Sequence, residues 1–268
     1  MKSSSNPTTQ QQWQHLHRLW QTDSPPLLPP MEQLQVEDEN LPLWTGGPMW
    51  PNQYAVKTPE TAFRFLTTRC WTWNEAEGTI ELIPEKEHIE AYCHLWCASQ
   101  RHGTQLIVEK SRRMVVSWVD RALMLWSMGL RPEDRVLVHQ TYDDAAKHVW
   151  RIYWLYEQMR NRNPDWTLPE SKTYGRLAAR QVSTLILPNG SRCDYATQDA
   201  SKLQGEGKAG VTIEELALYS RPDILLSQAQ MLVQGKPGSV GGHVVAITNA
   251  SPNRYWQEIK NPPKRVVV

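Results

Sequence analysis

Two periods of apolar residues run along this chain, and the points where one gives way to the other mark its elements. From about residue 56, TPETAFRFLTTRC carries apolar residues at helical spacing. Thr58 is its capping residue, and the helix opens on Pro59, whose missing N–H is unpaired at a first helical position anyway. TIELIP (79–84) is a short extended segment, and KEHIEAYCHLWCASQ (86–100) returns to the helical period. An alternation of strands and helices then sets in. TQLIVEK (104–110) predicts a strand, and VVSWVDRALMLWSMG (115–129) predicts a helix ending at Gly129. RVLVHQ (135–140) predicts a second strand, and DDAAKHVWRIYWLYEQMR (143–160) a long helix. VSTLILPNGSRCDYAT (182–197) predicts a hairpin folded at Asn189-Gly190, and GVTIEE (210–215) and HVVAITNA (243–250) two buried strands. Strands rich in Val and Ile and separated by helices imply an α/β fold with a mainly parallel central sheet flanked by helices.

The first 55 residues have a different texture: QQQ, SPPLLPP, the acidic run Glu37-Asp38-Glu39 and PMWP. Proline this dense prevents long helices, apart from a short possible one over Trp13–Trp20, so residues 1–55 are expected to be a flexible arm and 56–268 the globular domain. The chain of 268 residues is 40% hydrophobic and 21% charged, enough for a sizeable core without disulfides. Cys70, Cys93, Cys97 and Cys193 lack paired CxxC spacing and read as buried free thiols rather than a zinc site. The start, MKSSSNPTTQQQ, has no apolar signal region, and no apolar run approaches the ~20 residues that cross a membrane, so a soluble intracellular protein is expected. A net charge of +1 says nothing about nucleic acid. The 13 tryptophans against two phenylalanines read as core and interface aromatics rather than a base-stacking platform.

Candidate chemistry lies where strands end. QLIVE leads through KSRRMVVS into a helix. Such a strand-to-helix loop gathers free N–H groups and the positive end of the helix dipole, as phosphate requires. Lys110, Arg112 and Arg113 add cationic donors, and Ser117 offers a hydroxyl for Mg²⁺. The pattern GxxxxGK[ST] is absent, and an ordinary basic loop explains these residues equally well. GVTIEE sets Glu214 and Glu215 at the end of an apolar strand, where one acid can hold a metal and the next polarise a water; an acidic helix start is the other reading. HVVAITNASPN ends in Thr248, Asn249 and Ser251, either a sensor of phosphate state or a plain exit from a strand. RVLVHQ likewise ends in Gln140, before Thr141.

In this order, the motifs over residues 60–255 resemble the ATPase domain of the large terminase subunits of tailed double-stranded DNA bacteriophages, a RecA-like P-loop NTPase of the ASCE class. EKSRRMVVSW is similar to the family's deviant Walker A loop of the form K-S-x-R-x-G-x-S. The resemblance implies ATP phosphates on Lys110, Ser111, Arg112, Arg113, Met114, Val115, Val116 and Ser117, with Lys110 and Arg113 (or Arg112) as phosphate contacts and Ser117 on the Mg²⁺ side. GVTIEE is similar to its Walker B strand, implying Glu214 as the metal-side acid and Glu215 as the catalytic carboxylate. VVAITNASP is similar to its coupling motif at Thr248, Asn249 and Ala250. Cofactors ATP and Mg²⁺ follow, with double-stranded DNA, a portal protein on a procapsid and a small terminase subunit as partners. A homo-oligomeric ring in the host cytoplasm, away from any membrane, is also implied.

The chain departs from that pattern in three places. Val115 replaces the loop glycine, Glu214 replaces the usual Asp, and KLQGEGK offers Gln204 near the place of an arginine that acts on a neighbouring subunit. Lys202, Lys208 or Arg180 are the substitutes at hand. Residues 254–268 are too few for the family's nuclease domain, which is expected to be absent. A degenerate relative that binds without turnover, and a helicase-like ATPase of the same class, stand as alternatives.

Overall fold

The computed structural model describes residues 48–74, 77–110, 115–163, 165–197, 207–233, 242–249 and 254–260. The expected arm is outside these residues up to 47, as are Ser111, Arg112, Arg113, Met114, Lys202, Gln204, Ala250 and Ser251.

Helix α1 (Asn52–Ala55) precedes α2 (Pro59–Arg69), which starts as its sequence predicts: the Thr58 side chain accepts from the Thr61 N–H, with Pro59 in the first turn. A small antiparallel pair follows, β1 (Trp71–Asn74) with β2 (Thr79–Leu82). Helix α3 (Glu87–His102) is closed by Gly103 in the left-handed conformation. Then come β3 (Gln105–Glu109), α4 (Val116–Leu130), β4 (Asp134–Val138) and α5 (Tyr142–Arg162). Strands β5 (Lys172–Arg176), β6 (Gln181–Ile186) and β7 (Arg192–Ala196) lead to β8 (Gly210–Glu214), α6 (Pro222–Val233), β9 (His243–Thr248) and α7 (Arg254–Lys260).

Seven strands form the main sheet in the order β3-β9-β8-β4-β7-β6-β5. The five from β3 to β7 are parallel, and β6 and β5 are antiparallel to their neighbours. Side-chain alternation divides the core in two. Leu137, Val245 and Ile247 point to one face, with α2, α3, α4 and α5. Val136, Val138, Val211, Ile213, Val244 and Ala246 point to the other, under α6 and Trp256 of α7. The mainly parallel sheet with helices on both faces is therefore present, as the strand texture implies.

Two expectations change. Gly129 does not end its helix, which continues to Leu130; a Cβ on Gly129 would lie 2.1 Å from Trp50, so the glycine lets that indole press on the helix backbone. Met49, Trp50 and Tyr54 lie on the arm side of the boundary drawn at residue 55, yet are buried in the core, with Trp50 donating from Nε1 to the Trp126 carbonyl. The four cysteines are buried and free of disulfides.

Candidate functional site at the carboxyl ends of the parallel strands

In an open α/β sheet, ligands bind beyond the carboxyl ends of the strands, where neighbouring strands send their connections to opposite faces. Neighbouring strands part in this way between β3 and β9, and again between β8 and β4, whose helix α5 lies on the face of α4. The chain leaves β3 for α4 on one face, and leaves β8 and β9 for α6 and α7 on the other. Lys110, Glu214, Glu215, Thr248 and Asn249 all stand at this end, because β3, β9 and β8 run side by side in register. The ladder continues one residue past β3, where the Lys110 N–H donates to the Thr248 carbonyl at 2.9 Å.

Helix α4 begins at the site. Its N-cap is Val115, with φ 59°, a left-handed conformation that glycine adopts freely and a β-branched residue seldom does. The Val115 carbonyl accepts from the N–H groups of Trp118 and Val119, which fixes the first turn. Ser117 sits in that turn, and its Oγ donates to Glu214 Oε2 at 3.4 Å, a long bond joining α4 to the end of β8. A hydroxyl and a buried carboxylate facing each other are hard oxygen donors of the type that Mg²⁺ selects.

The neighbouring acid is held differently. Glu215 leaves β8 with φ 53°, and its two carboxylate oxygens accept from Asn249 Nδ2 at 2.9 and 3.0 Å. Thr248 Oγ1 accepts from the Ala217 N–H at 3.0 Å, so the end of β9 pins both the acid and the turn after it.

Residues that sequence reasoning missed complete the site. Arg121, fully buried on α4, pairs with Asp120 and with Glu214 Oε1. Asp120 in turn accepts from Tyr92 Oη at 2.8 Å and Trp96 Nε1 at 3.2 Å. On α5, His148 Nδ1 lies 3.3 Å from Arg121 and 3.5 Å from Arg151. A guanidinium only donates, so Nδ1 accepts and the proton resides on Nε2. Burial, then the charges of Arg121 and Arg151, hold His148 well below the ordinary imidazole range, so it is neutral. His139, stacked on His148 with ring centroids 5.5 Å apart, is also lowered by burial, against the pull of Asp144 and Glu215. Burial pushes the Glu214 carboxyl up, and Arg121 opposes it. A signal for Arg121 existed: Asp120 and Arg121 interrupt an otherwise apolar helix, and Arg121 is one turn from Ser117.

Two of the substitutes for the arginine that acts on a neighbouring subunit are among the described residues. Arg180 is sandwiched between Trp73 and Trp150, at 5.0 and 5.3 Å from their ring centroids. Lys208 pairs at 3.5 Å with Asp134, at the start of β4 and thus the far end of the sheet.

No protein-family model and no curated protein sequence matches the chain. Among solved structures it is similar to the large terminase of bacteriophage HK97, with 13% identity and a TM-score of 0.51, over 72% of this chain and 38% of that one. It also matches a point variant of the large terminase ATPase domain of Thermus phage P74-26, with 14% identity and a TM-score of 0.44, over 65% of this chain and 69% of that one. The chain thus shares the fold of the HK97 large terminase over the matched part, and spans little more than a third of that protein's length.

Proposed function

We propose that this chain is an ATP-hydrolysing motor domain of the large terminase type, coupling hydrolysis to translocation of double-stranded DNA into a procapsid. One observation carries the reading. Ser117 on the helix after β3 and Glu214 at the end of β8, 97 positions apart, meet at 3.4 Å at a switch point of the sheet. That hydroxyl–carboxylate pair is what a magnesium–nucleotide complex requires of a protein.

The roles are those that the order of the motifs along the chain implies. The β- and γ-phosphates would contact residues 110–117, with Lys110, whose backbone is bonded to the sheet, as one cation and Arg113 as a second contact. Ser117 and, through water, Glu214 would hold Mg²⁺, which would supply positive charge to the phosphate oxygens. Glu215 orients and deprotonates the attacking water, and Asn249 aims its carboxylate. Because Thr248 and Asn249 grip the turn after β8, a change at the γ-phosphate is passed to β9, which gives Thr248, Asn249 and Ala250 their coupling role. Contact with DNA would run through phosphates and so lack sequence preference. The portal, a small terminase subunit and a ring of like subunits in the host cytoplasm complete the assembly. No helix of the described residues is long and apolar enough to cross a membrane.

Steady-state ATP hydrolysis by the wild type, Lys110→Ala and Glu215→Gln tests the site. Both variants should lose turnover by about 100-fold or more, and equal rates in all three would sink the assignment. A second reading, nucleotide binding without turnover, is favoured by the strained Val115 and by the Arg121 guanidinium on Glu214. Binding by the wild type with no hydrolysis in the assembled ring selects it.

A further inference from the structure

We propose that Arg121 is a positioning residue that sets the divalent-metal affinity of this site by fixing the Glu214 carboxylate with one oxygen towards Ser117. The inference rests on the reading of Glu214 as the metal-side acid. Arg121 occupies Oε1, and Ser117 meets Oε2. One oxygen is thus held by the protein while the other stays directed at the hydroxyl.

The guanidinium is itself immobilised. Its side chain is fully buried, and its second arm is bound to Asp120. Asp120 is anchored in turn by Tyr92 and Trp96 of α3, a different helix. The chain of contacts therefore runs from α3 through α4 to the end of β8, and no bond in it depends on the loop at residues 111–114. Outer-shell partners of this type orient the ligating group and change metal affinity by about 10- to 100-fold when removed. A lysine in the same place keeps the charge but lacks the fork that spans two carboxylates.

The charge count of the cluster accounts for the pair Asp120–Arg121 within an apolar helix. Arg121 balances one of two buried carboxylates, leaving the cluster with one net negative charge for the metal. Removing Arg121 alone leaves two unpaired buried acids, which is strongly destabilising. Replacing both members with amides, Asp120→Asn/Arg121→Gln, keeps that net charge and the Tyr92 and Trp96 acceptor, but removes the ionic grip on Glu214.

The test is Mn²⁺ binding to the full chain with ADP, followed by electron paramagnetic resonance. ADP affinity is measured separately without metal, and cooperative thermal unfolding is recorded for each variant. Wild type should bind most tightly, Arg121→Lys several-fold less tightly, and the double variant about tenfold less tightly or worse, with metal-free ADP affinity unchanged. A folded variant of either kind that binds Mn²⁺ as wild type does overturns the role of Arg121. Parallel loss of metal-free ADP affinity also overturns it, by marking a general structural effect. A wild type that binds no Mn²⁺ with ADP overturns instead the reading of the site itself.

Discussion

Val115 shows how far the backbone at the start of α4 constrains its own sequence. The left-handed conformation places a Cβ against the following carbonyl, at a cost of about 1–2 kcal/mol that glycine avoids. Among the described residues the non-glycine positions with positive φ are Val115, Arg180 and Glu215, and two of them stand at the site. Strain of that kind persists where the surroundings over-determine it, as the contacts of Ser117 and Asn249 do here. The expected consequence is an inverted order of stability. Val115→Gly should be at least as stable as Val115→Ala, whereas glycine ordinarily costs about 0.5–1 kcal/mol relative to alanine in an ordered element. Chemical denaturation of the two variants checks this, and the ordinary order would show that Val115 is unstrained. Asn249 yields a second expectation. Asn249→Ala frees the Glu215 carboxylate, and turnover should fall by about 100-fold while ADP affinity holds. An equal loss in both would make Asn249 a structural residue. At this scale Lys110, Ser117, Glu214 and Glu215 were legible, since each is a polar residue where an apolar strand or a loop stops. Arg121 was legible only as a charge in an apolar helix, because its partner lies on a strand 93 positions away and only the folded sheet brings them together.

The elements obey period and packing in different measure. Helices α2 to α5 and strands β3, β4, β8 and β9 follow from their apolar spacing, and the turn at Asn189-Gly190 from its residue types. Strand β5 does not: KTYGR is mostly exposed, with no apolar alternation, and is a strand because β6 pairs with it. The end of α4 departs from its sequence signal for a related reason. A glycine late in a helix signals a cap in sequence, but Gly129 is there because the Trp50 indole occupies the space of a side chain. Gly129→Ala therefore sets helix propensity against packing. Alanine gains about 1 kcal/mol in a helix interior, while overpacking a core costs about 1–3 kcal/mol and more where a rigid ring must move. A net loss of stability is expected in thermal unfolding, and a gain would show that the indole moves aside freely. Gly210 opens β8 on the same principle, since a Cβ there would lie 2.5 Å from Arg135.

At the scale of the whole molecule, buried charge among the described residues sits at both ends of the central strands. At the amino end of β4, buried Glu133 receives Arg135 at 2.7 Å and Arg131 at 3.1 Å, with Lys57 at 3.7 Å. Burial alone would raise its carboxyl, but Arg135 and then Lys57 outweigh that and hold it at about 2. A carboxyl lowered on folding stabilises fully above its ordinary value, here 4.5, and that contribution is lost as pH falls through about 2. Stability should therefore decline between these values, and Glu133→Gln should flatten the decline; an unchanged slope would remove Glu133 from the account. The strand order was the part least legible from sequence. Apolar period states that β3, β8 and β9 are buried strands, but not that they are neighbours, and their adjacency is what turns separate motifs into one site. The most direct test of that site is a crystal structure with Mg²⁺ and a non-hydrolysable ATP analogue. Lys110 should reach the β- and γ-phosphate oxygens, with Ser117 and Glu214 at the metal and Glu215 facing the γ-phosphate. An analogue bound elsewhere, or phosphates beyond the reach of Lys110, would contradict the account.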